Sequence, residues 1–153
     1  MLQKIRTLVD VRSSPTSRRF PHFNRGHLSD ALKSLQIGYV YCAALGGHRR
    51  KSKIIPAEFN ASWQNQSFHN YADYAMSDDF LAALEGLIET SQRELTAIMC
   101  AEAVWWRCHR RIIADYLLSR QISVRHILGH GKIVEAQMTP SAVRQGGLIG
   151  YPP

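Results

Sequence analysis

Apolar positions along the chain fall into two periods. Leu8-Val-Asp-Val11, Tyr39-Val-Tyr-Cys42, Leu95 to Met99 and Ser123 to Leu128 are short runs rich in β-branched and aromatic residues, the pattern of strands. Elsewhere the apolar residues recur every three or four positions. Leu28, Ala31, Leu32 and Leu35 form one such stripe, Phe80, Leu81, Leu84, Leu87 and Ile88 a second, and Ile112, Ile113, Tyr116, Leu117 and Leu118 a third. These predict three amphipathic helices. Asn24 stands where the first needs an N-cap, and Gly38 ends it. Ser77 followed by Asp78 and Asp79 opens the second with the charge a helix N-terminus favours. The third begins near Cys108. Leu95 to Met99, with Thr96 its one polar residue, predicts a central strand covered on both faces.

Strands alternating with helices predict a single α/β domain over residues 1–153, three layers with a mainly parallel, Rossmann-like sheet. Ala43 to about Asn70 reads as one long irregular segment, and Trp63, Phe68 and Tyr71 within it argue for a folded lid over disorder. From Gly129 to Pro153 periodicity fades, and an ordered tail wrapping the domain is expected. No apolar run approaches the roughly 20 residues that span a bilayer, and the start lacks a secretory signal pattern. Cys42, Cys100 and Cys108 are odd in number in a domain large enough to need no staples, which points to free thiols in a reducing cytoplasm.

Charge sharpens this picture. The formal net charge is +7, and its distribution matters more than its size. In open parallel sheets ligands bind beyond the carboxyl ends of the strands. Here the predicted strands exit into Arg12, Arg18, Arg19 and Arg25; into His48, Arg49, Arg50, Lys51 and Lys53; into Arg107, His109, Arg110 and Arg111; and into His130 and Lys132. A one-sided basic edge favours an anionic ligand: phosphate, nucleotide or nucleic acid.

The stretch from Cys100 to Arg111 holds the densest chemistry. Cys100 ends a strand ahead of a helix N-terminus and of Arg107, surroundings that lower a thiol pKa and make it a nucleophile. The Cys-x6-Arg spacing is one residue longer than the Cys-x5-Arg cradle of cysteine-dependent phosphatases and rhodaneses, and Glu102 and two tryptophans stand where those loops favour glycine. A strand-end cysteine is also often a small buried residue. Glu102 and His109 are an acid–base pair or partners of the surrounding arginines. Cys100, Cys108 and His109 are zinc-ligand types, but adjacent Cys and His diverge on a helix and no C-x-x-C is present, so neither metal nor cofactor is expected. Trp105 and Trp106 are packing residues or platforms for stacking a base. Asp10, between two valines, caps a loop or pairs with an arginine.

Six segments, Leu8-Val-Asp-Val-Arg-Ser, Ser-Arg-Arg-Phe-Pro-His-Phe-Asn, Leu-Gly-Gly-His-Arg, Asn-Tyr-Ala-Asp-Tyr-Ala-Met, Met-Cys-Ala-Glu and Cys-His-Arg-Arg, occur in one order. Together they resemble the bacterial domain-of-unknown-function 488 family over about Leu8 to Pro140. The resemblance implies a prokaryotic α/β domain with no settled activity. It also implies a shared site at Asp10, Arg12, Gly46, Gly47, Arg49, Tyr71, Tyr74, Cys100, Glu102, Cys108, His109 and Arg110. Such proteins usually open with a further β-α unit before the Val-Asp-Val-Arg strand. Without it, a sheet edge is expected to stand open, where a second copy or a partner protein could dock. Three readings follow: an enzyme using Cys100, or Glu102 and His109, with Arg12, Arg49, Arg107 and Arg110 on the anion; a non-catalytic nucleic-acid module; or an interaction subunit.

Overall fold

The computed structural model describes residues 4–153. Strands β1 (Thr7–Asp10), β2 (Gly38–Tyr41) and β3 (Thr96–Met99) form a parallel sheet in the order β2-β1-β3. Thr7 pairs with Gly38 on one side and Thr96 on the other, and Asp10 with Tyr41 and Met99. All three strands therefore end level, and their exit loops share one edge. Helices α1 (Arg25–Ser34), α2 (Gln66–Tyr74), α3 (Asp78–Arg93) and α4 (Arg110–Ser119) complete the α/β domain.

The strand at the centre is β1, not β3. Val9 and Val11 lie in the core, whereas every residue of β3 is only half-buried and Leu95 is 36% exposed. An apolar run of this length fits an edge strand leaning on a core as well as it fits a buried one. The α1 stripe is also shallower than its spacing predicts: Leu28 alone is buried and Leu35 is 69% exposed. Asn24 occupies the N-cap position, but its side chain accepts from Ser17 N–H instead, tying down the loop after β1. Ser77 does cap α3, accepting from Phe80 N–H at 3.3 Å.

The segment after β2 is not irregular throughout, because α2 lies inside it. Asn65 caps that helix by accepting from Ser67 and Phe68 N–H, and Trp63 stacks on Phe68 at 4.9 Å. Residues 125–127 do not join the parallel sheet. They form β4 (Arg125–Ile127), which pairs antiparallel with β5 (Ile133–Glu135) as a separate ribbon. His130 and Lys132 therefore leave the ligand edge.

The tail completes the core, as a hairpin of β6 (Val143–Gln145) and β7 (Leu148–Gly150). Ile149 and Tyr151 are wholly buried. Helix α4 receives them: Tyr151 Oη donates to Asp115 Oδ2 at 2.7 Å, Thr139 N–H donates to Asp115 Oδ1 at 2.9 Å, and Ile149 N–H donates to Tyr116 Oη at 3.1 Å. Burial pushes the Asp115 carboxyl above its ordinary value, against the pull of these donors.

Asp115→Ala would leave the Thr139 amide and the Tyr151 hydroxyl buried without an acceptor. At about 1–3 kcal/mol for each orphaned group, urea unfolding should show a loss of roughly 2–6 kcal/mol. A loss no larger than that of an ordinary surface substitution would mean that the tail is not clamped through Asp115.

Candidate functional site

The level strand ends build a cleft of about 770 Å³. Arg12, Ser13 and Ser14 come from the exit of β1, Gly47 to Arg50 from the exit of β2, and Cys100 to Glu102, Arg107 and His109 from the exit of β3, with Ser67 of α2 opposite.

Its floor begins with a buried ion pair. Arg12 donates through Nε to Asp10 Oδ1 at 2.9 Å and through Nη2 to Oδ2 at 2.7 Å, with Asp10 fully buried and Arg12 only 6% exposed. Tyr39 Oη donates to the same Oδ2, and burial together with Asp10 pushes the Tyr39 hydroxyl up to about 12. Asp10 is therefore a positioning group: it holds Arg12 at the cleft and does not itself line it.

Above this pair the end of β1 meets the start of α4. Cys108 is extended (φ −136°, ψ 150°) and His109 is helical (φ −58°, ψ −16°), so their side chains converge where a continuous helix would splay them. His109 Nε2 lies 2.8 Å from the Val11 carbonyl oxygen. That oxygen can only accept, so Nε2 carries a proton, and Nδ1 faces Cys108 Sγ at 3.5 Å. Gly47 makes this possible. A Cβ on Gly47 would lie 2.5 Å from His109 Nδ1 and 2.9 Å from both Cε1 and Cγ, distances that place it over the ring face rather than in the ring plane. Backbone thus packs flat on the imidazole and leaves the in-plane edge at Nδ1 clear.

The two thiols complete the floor. Cys100 Sγ and Cys108 Sγ are 2.9 Å apart. Cys108 Sγ also accepts from Arg110 Nε at 3.2 Å and Arg110 N–H at 3.3 Å, while Cys100 Sγ accepts from Glu102 N–H at 3.2 Å. The donors around the pair favour negative charge on Cys108 over Cys100, the nucleophile expected from the sequence. The hydrogen bond from Cys100, with His109 and the Arg110 amide, lowers the Cys108 thiol to about 4 against burial. The same bond and burial raise Cys100. Cys108 is only 4% exposed, so the activated sulfur lies beneath the cleft and the protonated one faces it.

The remaining predicted residues divide by placement. Arg49 lines the cleft but spends its donors on the turn beneath, with Nε to Gly46 O at 3.0 Å and Nη2 to Ala43 O at 2.7 Å, and it stacks 3.7 Å from the Tyr74 ring centroid. Tyr71 and Tyr74 do not line the cleft. Their hydroxyls donate to Leu45 O at 2.8 Å and Ala44 O at 2.6 Å, holding the same turn from below. Gly46 is wedged under it, with a Cβ meeting Ser13 Cα at 3.0 Å. Arg18 and Arg19 stay on the exposed loop after β1, Arg19 over Phe20. Trp105 stacks on His126 at 4.1 Å, away from the cleft. Ser13, Ser14 and Ser67 were not singled out by their chemistry; position directly after Arg12 at a strand exit was the signal available for the first two. Among the described residues Arg50 and Arg107, both exposed, make no side-chain hydrogen bond or ion pair.

A family model described as domain of unknown function DUF488 matches residues 2–117, which contain every residue of this cleft. Searches among curated proteins and among solved structures returned no match.

Gly47→Ala would drive a methyl group into the His109 ring. Overpacking of this kind costs about 1–3 kcal/mol, to be read by urea unfolding, and an unchanged stability would contradict the close packing. The thiol pair adds a pH dependence. In the unfolded chain both thiols titrate near 9; in the folded chain Cys108 titrates near 4 and Cys100 is raised. Between those limits the folded state holds one proton fewer, so stability rises with pH across that window and is lost as pH falls through about 4. Above the ordinary thiol range the raised Cys100 reverses the slope. In reduced, chelator-treated protein, the melting temperature relative to a Cys100→Ala/Cys108→Ala double variant should climb from about pH 5 to about pH 8. A constant difference across that range would contradict the shared proton.

Proposed function

The chain belongs to the DUF488 family, whose description carries no activity, and from the geometry of its own cleft we propose that it binds a phosphate-bearing small molecule at the common edge of the three strands. The observation that carries this reading is charge balance. With Arg12 neutralised by Asp10, three further arginines, Arg49, Arg50 and Arg107, face a single carboxylate, Glu102. That carboxylate in turn accepts from Ala103 N–H at 3.1 Å. Arg50 and Arg107 have donors to spare, and the serine hydroxyls of the lining suit phosphate oxygens.

Size favours a phosphorylated metabolite or nucleotide over a polynucleotide. About 770 Å³ lies within the range of small-molecule clefts. The aromatic platforms that sequence-tolerant nucleic-acid binding requires do not line the cleft: Trp105 is engaged with His126, Tyr71 is buried, and Trp106, although exposed, lies outside the lining. Within this reading Glu102 and Cys100 stand against the ligand, while Asp10, Gly46, Gly47, Tyr71, Tyr74 and Arg110 shape the walls that hold it.

Isothermal titration with inorganic phosphate, a nucleoside monophosphate and a single-stranded oligonucleotide tests the proposal. The nucleotide should bind at low salt, and Arg50→Gln and Arg107→Gln should each weaken it roughly tenfold, the value of one charge-assisted hydrogen bond, with the melting temperature unchanged. Binding that ignores both substitutions, or that is confined to the oligonucleotide with affinity growing with its length, would overturn it.

A further inference from the structure

We infer that Cys100, Cys108 and His109 form a three-ligand site for a borderline-soft divalent metal of the zinc class, with its fourth position open to the cleft. The sulfur atoms and a ring nitrogen of these residues lie within 4.8 Å of one another. Sequence spacing argues against this, because adjacent Cys and His diverge on a helix. The obstacle is gone: both residues precede α4, and Cys108 is extended.

Four independent features fit the donor set to a metal. His109 donates Nε2–H to the Val11 carbonyl, the outer-shell bond that fixes the tautomer and aims the other nitrogen at an ion. Gly47 covers the face of that ring and leaves its lone pair unobstructed. Each sulfur accepts a backbone N–H from two residues on, Glu102 to Cys100 and Arg110 to Cys108, donors that stabilise thiolate ligands. Two thiolates and a neutral imidazole neutralise a divalent ion, and this ligand set with one open position is that of a reactive rather than a closed structural zinc site. Cys100 and His109 line the cleft while Cys108 lies beneath it, so the open position faces upward, toward water or an oxygen of a bound ligand.

The present sulfur separation is 2.9 Å. Two bonds of about 2.3 Å at a tetrahedral angle set the sulfurs about 3.8 Å apart, so metal entry must part them by about 0.9 Å. The loop between them, largely exposed from Ala101 to Glu102 and at Trp106 and Arg107, can yield that much. The competing fate of such a pair is a disulfide, which would consume both thiolates and require an oxidant.

Cobalt substitution decides the matter, and it needs no phosphate ligand, so its outcome is separate from that of the anion-binding reading. Reduced, chelator-treated full-length protein is titrated with Co²⁺ and then with Zn²⁺. One equivalent of Co²⁺ should give the intense visible bands of a tetrahedral site together with thiolate-to-cobalt charge transfer in the near ultraviolet, and Zn²⁺ should abolish both. Cys100→Ser and His109→Gln should each weaken Co²⁺ binding by roughly a hundredfold or more, beyond the loss typical of outer-shell partners. Circular dichroism of each variant checks that it folds, and the wild-type spectrum decides even where a variant does not. No tetrahedral spectrum in reduced wild-type protein, a spectrum without thiolate charge transfer, or a Cys100–Cys108 disulfide forming in place of metal uptake under reducing conditions would overturn the inference.

Discussion

The hydrogen bond from His109 Nε2 to the Val11 carbonyl is the constraint on which the site depends. It ties the residue just before α4 to the first residue after β1, 98 positions away in the chain. The ring can reach that carbonyl only because Gly47 has no side chain, so the exit of β2 is drawn into the same arrangement. Three separate strand exits are thereby referred to one imidazole. The thiol pair follows from it, since Cys108 precedes His109 and Cys100 ends the neighbouring strand.

Around this floor the protein uses buried charge for placement. Asp10, fully buried, is held by Arg12 and by the half-buried Tyr39. Removing one partner of such a pair costs far more than the pair itself contributes, because the other charge is left buried. Arg12 is thus kept in one position at the base of the cleft. Arg50 and Arg107 are free and exposed, which suits groups that must rearrange around a ligand. Fixed charge below and mobile charge at the rim is a division of labour that a phosphate-bearing molecule would exploit.

Much of this was legible in the residues. The three parallel strands and the Ser77 cap follow from periodicity and from cap chemistry. Helix α2 was also within reach, since Phe68, Tyr71, Ala72 and Ala75 keep helical spacing behind the Asn65 cap, but the long polar stretch before them obscured it. Three things were not legible. A β-branched run at residues 123–128 does not say which sheet it joins. The burial of Ile149 and Tyr151 depends on Asp115 and Tyr116 of a distant helix. The convergence of Cys108 and His109 rests on an extended and a helical backbone conformation at neighbouring positions, which neither residue type announces.

The most direct test is to map the cleft by amide chemical shifts as inorganic phosphate is added to the reduced, ¹⁵N-labelled protein. Perturbed amides should cluster at Arg12 to Ser14, Gly47 to Arg50 and Ala101 to Arg107, and saturate together as one site. Perturbations centred on Arg18, Arg19 and the exposed loop after β1, on the β4–β5 ribbon, or scattered over every basic residue without saturation would contradict it.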